Sequence, residues 1–231
     1  MTAFPPVPLV EGAAAPLIRD KIDTDQIIPS REIRGVGKTG LADGLFAGWR
    51  YRQSREPDPD FVLNDPDYAH APILLAGANM GCGSSREHAV WALHEYGVRA
   101  VIAPGFAPIF RGNCIRNGVI PVELPREQIE TIAAAGAARV DLLEQTITPT
   151  SVRPEPVEGR PSLARAGRPS TGSGRTEERW TFRFDIDAES KAMLAEGLDA
   201  IDLALKHRDA IAAFLASDRG ARPWIYLEAV A

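Results

Sequence analysis

Between Asn79 and His88 the chain reads Asn79-Met80-Gly81-Cys82-Gly83-Ser84-Ser85-Arg86-Glu87-His88, a run rich in groups that can do chemistry. Two glycines let the backbone turn tightly and come close to a ligand. Ser84 or Ser85 is placed to cap a helix running on from here. The unpaired N–H groups and positive dipole end of that helix then face the hydroxyls. Arg86 adds a permanent charge whose forked donors match a carboxylate. Such a turn binds a small anion and lowers the cost of negative charge on a serine oxygen. The same residues fit a plainer role, because serines ahead of helices commonly act only as caps. A nucleophile elbow is excluded, since G-x-S-x-G is absent. Cys82 and His88 make a poor thiol–base pair, one lying in the turn and the other along the helix. Cys82, Cys114, His88 and His94 lack any close ligand spacing, so no metal site is expected on this chain.

The elements that must hold this turn alternate. Residues 72–76 (PILLA) read as a short apolar strand, and 85–96 as a helix with Ala89, Leu93 and Tyr96 on one face, ended by Gly97. A strand at 99–103 (RAVIA) stops at Pro104-Gly105, and a helix over 106–117 turns Ile109, Phe110 and Ile115 inward. A strand at 119–124 (VIPVEL) leads to a helix over 126–135 after Pro125. This alternation predicts parallel neighbours with right-handed crossovers. Short strands follow at 139–143 and 145–148, and 180–186 (WTFRFDI) alternates with period two. The stretch 188–216 is helical, broken at Gly197-Leu198-Asp199, where Asp199 caps a new start. The fold class is α/β, a mixed or parallel sheet with flanking helices. No G-x-G-x-x-G follows the first strand, which excludes a dinucleotide-binding unit.

At 231 residues, with 45% hydrophobic and 25% charged side chains, the composition is that of an ordinary globular protein. A net charge of −5 gives no general attraction to phosphate backbones, so nucleic-acid binding is not expected. No apolar run approaches the roughly 18 residues of a membrane span, so no membrane association is expected either. The start, with Pro5, Pro6 and Pro8 and no basic residue before Arg19, does not read as a signal peptide. Two cysteines, Cys82 and Cys114, make a disulfide framework improbable and point to a reducing cytoplasm. Two thiols are also too few to hold an iron–sulfur cluster through cysteines.

Residues 153–175 (RPEPVEGRPSLARAGRPSTGSGR) stand apart, with four Pro, four Gly and five Arg. Five arginines against two glutamates give +3, leaving −5 − 3 = −8 for the rest of the chain. Apolar content is too low to offset ordering entropy, which predicts a flexible insertion within one domain spanning 1–231. Strand signals on both sides place it inside a hairpin, where a long loop costs least. A basic docking arm is the functional alternative.

The run GCGSSREHAVWAL, followed by GVRAVIAPGFAPIFRGNCIRNGVIPVEL, closely resembles the swivel domain of the aconitase superfamily. KIDTDQIIP, KTGLADGLFAGWRYR, PDFVLN and the tail GLDAIDLALKHRDAIAAF resemble one branch of it, the small subunits of 3-isopropylmalate dehydratase. Together these segments cover nearly the whole chain except 153–175, an insertion the family pattern lacks. The resemblance implies a swivelling β/β/α domain that closes over a large subunit carrying a [4Fe–4S] cluster, with no cofactor held by this chain. The implied reaction takes 2-isopropylmalate to 3-isopropylmalate through 2-isopropylmaleate, in leucine biosynthesis. Ser84 matches the family's catalytic serine, which as an alkoxide abstracts the proton beside a carboxylate. Ser85 and Arg86 match the neighbouring carboxylate ligands. Asp25 matches an active-site aspartate that orients a histidine of the large subunit; from spacing alone it reads as a turn residue. Arg34 and Lys38, in the loop that follows, could face substrate, and Ile27, Ile28 and Leu41 could wall the isopropyl group. Two other readings stay open: a related hydro-lyase acting on homoaconitate, citraconate or a dimethylmalate, and a non-catalytic anion-binding module.

Overall fold

Leu9–Leu17 forms β1, and this one strand belongs to two kinds of sheet at once. Its second half pairs in parallel with β2 (Ile73–Ala76), from Ala14 opposite Ile73 to Leu17 opposite Ala76. Its first half pairs antiparallel with β5 (Gly136–Asp141), from Leu9 opposite Asp141 to Ala13 opposite Ala137. Parallel pairing continues from β2 to β3 (Ala100–Ala103) and β4 (Ile120–Glu123), and antiparallel pairing from β5 to β6 (Thr146–Ser151) and β7 (Phe182–Arg183). The sheet order is β4-β3-β2-β1-β5-β6-β7. This computed structural model describes residues 4–33, 35, 37–151 and 180–226.

Alternation along the parallel strands divides the interior into two cores. Ala15, Leu17, Leu74, Ala76, Val101 and Ala103 face one side, against Val90, Leu93 and Tyr96 of α3 (Glu87–Tyr96) and against Leu45 and Phe46. Ala14, Ile73, Leu75, Ile102 and Val122 face the other, against Ile129 and Ile132 of α5 (Arg126–Ala135) and Leu194 of α6 (Ala188–Glu196). Burial on both faces is why PILLA and RAVIA are continuous apolar runs rather than alternating ones. The α/β class, the parallel trio and the helices between its strands match the sequence reading.

Several details differ. β1 has no sequence expectation behind it: LVEGAAAPL contains Gly, Pro and three Ala, all poor strand formers, and pairing on both edges overrides that propensity. In α4 (Pro108–Arg116), Phe110 and Ile115 are buried as expected, but Ile109 is 56% exposed. The C-terminal stretch breaks twice. Asp199 accepts a bond from Asp202 N at 2.7 Å and caps α7 (Ala200–Leu205), and a second interruption precedes α8 (Arg208–Ala221). β6 and β7 pair as a hairpin, Thr146 opposite Arg183, while the basic segment 153–175 lies outside the described residues.

Candidate active site

The chain leaves the carboxyl ends of β1, β2 and β3 through three loops, and these loops converge. In open α/β sheets ligands bind at this end of the strands. The loop after β2 runs in the middle and is stitched to both neighbours. On one side Gly81 N donates to Ile22 O at 2.7 Å, Thr24 N to Cys82 O at 2.9 Å, and Thr24 Oγ1 to Ser84 O at 3.0 Å. On the other, Met80 N donates to Gly105 O at 3.0 Å and Ala107 N to Met80 O at 2.9 Å. Gly81 is demanded by this crossing. It has φ 75°, and a Cβ there would lie 2.0 Å from Cγ of Phe110, whose ring fills the space beneath the turn.

Ser84, Ser85 and Arg86 follow at the open edge. Both serines are exposed, and among the described residues neither hydroxyl has a hydrogen-bond partner. Neither serine caps α3, contrary to the sequence expectation. The N-cap position is Arg86, with extended backbone and no side-chain cap, and Arg86 N donates to Ser84 O at 2.8 Å. The tight turn uses the serine carbonyl, so both hydroxyls stay free while the first N–H groups of α3 still open toward this edge. Glu87, whose charge would oppose an anion there, is engaged elsewhere: Asn117 Nδ2 donates to its Oε1 at 2.7 Å.

Asp23 and Asp25 divide their labour. Asp23 closes a capping box on α1 (Thr24–Ile27), accepting from Gln26 N at 2.7 Å while its own N–H donates to Gln26 Oε1 at 2.9 Å. That leaves Asp25 to form an ion pair with Arg86 and to accept from Ser30 Oγ at 3.3 Å. The turn aspartate is thus Asp23, while Asp25 is tied to Arg86.

Thr24, Gly81, Gly83, Ser84, Ser85, Arg86, Ala107, Pro108, Ile109, Phe110 and Asn113 line a pocket of about 210 Å³. Sequence reasoning missed Thr24, the brace between the first two loops, and the wall formed by the start of α4. Pro108 at the head of that helix was the available signal. Ile27, Ile28 and Leu41 are packed inside the core, so they cannot wall a substrate. Lys38 is occupied by Asn117 Oδ1 at 3.1 Å and by the face of Trp91, and it does not line this pocket. Arg34 lies outside the described residues. A larger open cleft, about 500 Å³, runs past Arg31, Glu32, Arg52 and Arg55. There Arg55 donates to both oxygens of Glu32 at 2.8 and 3.1 Å, whereas the smaller pocket is the one that holds the two unpartnered serine hydroxyls.

Cys82 Sγ donates to Lys21 O at 3.4 Å, while the His88 ring packs against Trp91 at a tilt of 60°. Cys114 is fully buried, which pushes its thiol pKa up. Among the described residues no three His, Cys, Asp or Glu side chains come together to hold a metal ion. No helix among them is long and apolar enough to cross a membrane.

Residues 5–127, which carry all three converging loops, match the aconitase C-terminal domain family, and this defines the class of protein. Relatives named 3-isopropylmalate dehydratase small subunit include that of Cupriavidus necator, 48% identical over 96% of this chain and 99% of the relative. That of Paramagnetospirillum magneticum is 41% identical over 93% and 96%. The crystal structure of 3-isopropylmalate dehydratase from Methanocaldococcus jannaschii aligns at a TM-score of 0.59 and 28% identity, covering 89% of this chain and 98% of that one. The chain belongs to the 3-isopropylmalate dehydratase small-subunit family.

Proposed function

We propose that this chain is the small subunit of a two-subunit hydro-lyase that isomerises 2-isopropylmalate to 3-isopropylmalate through 2-isopropylmaleate, a step of leucine biosynthesis in the cytoplasm. The observation that carries this reading is the open edge itself: two unpartnered serine hydroxyls beside a guanidinium, at the carboxyl ends of parallel strands.

Arg86 and Ser85 bind a substrate carboxylate, Arg86 through its forked donors. That contact holds the carbon next to the carboxylate against Ser84 Oγ, which as an alkoxide removes its proton, while the hydroxyl on the neighbouring carbon leaves as water with a proton supplied from the large subunit. A serine oxygen is a poor base in water, so the step depends on a preorganised positive field. Arg86 and the first N–H groups of α3 supply that field. Asp25 holds the Arg86 fork in place and remains available to a histidine from the partner. The pocket opens to the surface at Ser84 and Ser85, and a large subunit closes it and excludes water. The [4Fe–4S] cluster does not fit this chain, whose cysteines lie apart, one of them buried in the core, and it belongs to the large subunit.

Mixing this chain with a cluster-bearing large subunit is expected to produce the ultraviolet absorbance of the unsaturated diacid, with neither subunit active alone. A preference for homoaconitate, citraconate or a dimethylmalate in a substrate panel would reassign the substrate. Tight carboxylate binding by the isolated chain, with no turnover in any mixture, would replace the enzyme with an anion-binding module.

A further inference from the structure

The site pocket has two chemically different walls. Ser84, Ser85 and Arg86 make one, and Ala107, Pro108, Ile109 and Phe110, at the start of α4, make the other. On α4 the core side is taken by Phe110, Asn113, Cys114 and Ile115, all buried. Ile109 is held outward instead, 56% exposed on the pocket rim. A single exposed isoleucine is unremarkable on a protein surface. This one sits in the same small concavity as the guanidinium. Pro108 beside it has no N–H, and its ring fixes the backbone, so at this position the start of α4 presents carbon to the pocket. The wall is also rigid from behind, because Phe110 is wedged under Gly81 and Ala107 N is tied to Met80 O at 2.9 Å.

From this juxtaposition we infer that Ile109, with Pro108, receives the alkyl branch of an alkyl-substituted four-carbon diacid and so sets which branch the enzyme accepts. The inference rests on the hydro-lyase reading above and deepens it. With one carboxylate on Arg86 and the reacting carbon at Ser84, a substituent projecting to the opposite wall leaves water for a hydrocarbon surface. A diacid lacking the branch gains nothing from that wall.

The test uses the reconstituted two-subunit enzyme, assayed with isopropyl-substituted and methyl-substituted maleates. Ile109→Ala is expected to lower kcat/KM for the isopropyl compound by about tenfold or more, the scale of lost methylene contacts, and for the methyl compound by no more than about threefold. Ile109→Val, which removes a single methylene, is expected to fall between the parent and Ile109→Ala. Equal losses on both compounds, or weakened assembly in a pull-down, would overturn the inference and make Ile109 a subunit contact. Unchanged selectivity would also overturn it. If the parent complex turns over neither compound, the underlying hydro-lyase reading fails, and that outcome is visible before any variant is made.

Discussion

Arg86 and Asp25, sixty-one positions apart in the chain, form an ion pair that joins the loop after β1 to the loop after β2. Side-chain exposures of 26% and 53% place it in a solvated setting, where such pairs contribute little to stability, about 0–1 kcal/mol. Its importance is therefore positional. Asp25 sets the direction of the guanidinium fork, and Ser30 in turn steadies Asp25.

Replacing Asp25→Asn should leave folding nearly intact and damage turnover. The melting temperature is expected to drop by no more than about 4 °C. Activity of the assembled enzyme should fall by roughly a hundredfold, the cost of a misplaced binding group. Thermal melts and steady-state rates on the same preparation check both. A large drop in melting temperature would make the pair structural instead.

Gly81→Ala forces a methyl group into the ring of Phe110 at a positive φ. The expected loss of stability is roughly 2–4 kcal/mol, from overpacking and backbone strain together. Urea denaturation measures it. Adding Phe110→Ala makes room for the methyl, so the double variant should lose less than the sum of the two single losses.

How much of this was legible in the sequence depended on whether a feature is local. The strand–helix alternation around Gly81–Arg86 is a local pattern and reads correctly; the turn reads correctly as a turn, but its cap falls on Arg86 rather than on a serine. β1 was invisible because its stability comes from two neighbours far away in the chain, not from its own alanines. The wall residues Ile27, Ile28 and Leu41 read as available because nothing local tells a core isoleucine from a pocket one. Ile109 read as inward because Phe110 follows it, and only the depth of Phe110 under Gly81 shows which of the two the core takes. Asp23 and Asp25 look alike in sequence. The capping box with Gln26 separates them, and the contact of Asp25 with Arg86 is visible only once the loops meet.

His94 predicts a pH signature. Burial, then the nearby Arg99 and Lys38 charges, lower its pKa from 6.5 to about 4. The unfolded chain therefore takes up this proton before the native one does. Stability from the neutral imidazole is complete above pH 6.5 and is lost as pH falls toward about 4. Melting temperature should decline over that window, and His94→Gln should flatten the decline. Burial works to raise the Glu95 pKa, but N–H groups of Gly40, Leu41 and Ala42 outweigh it and hold it below its ordinary 4.5, so its contribution is lost only in more acid solution.

The chain is proposed to be one swivel-type domain in which 153–175 is an insertion. Strands β6 and β7, which flank it, pair with each other, so a short linker can replace it. Its few apolar residues give it little to anchor. Activity of the assembled enzyme after that replacement is expected to stay within about threefold, as for a dispensable loop. Failure of the two subunits to copurify would make the segment a docking arm.

The most direct measurement is the turnover of Ser84→Ala in complex with the large subunit, set beside a copurification assay. Because Ser84 is exposed and its side chain holds nothing together, assembly and melting temperature should match the parent. Formation of the unsaturated diacid should fall by roughly a thousandfold or more, the scale of a lost general base. Turnover within a few-fold of the parent would remove Ser84 from proton abstraction and contradict the account.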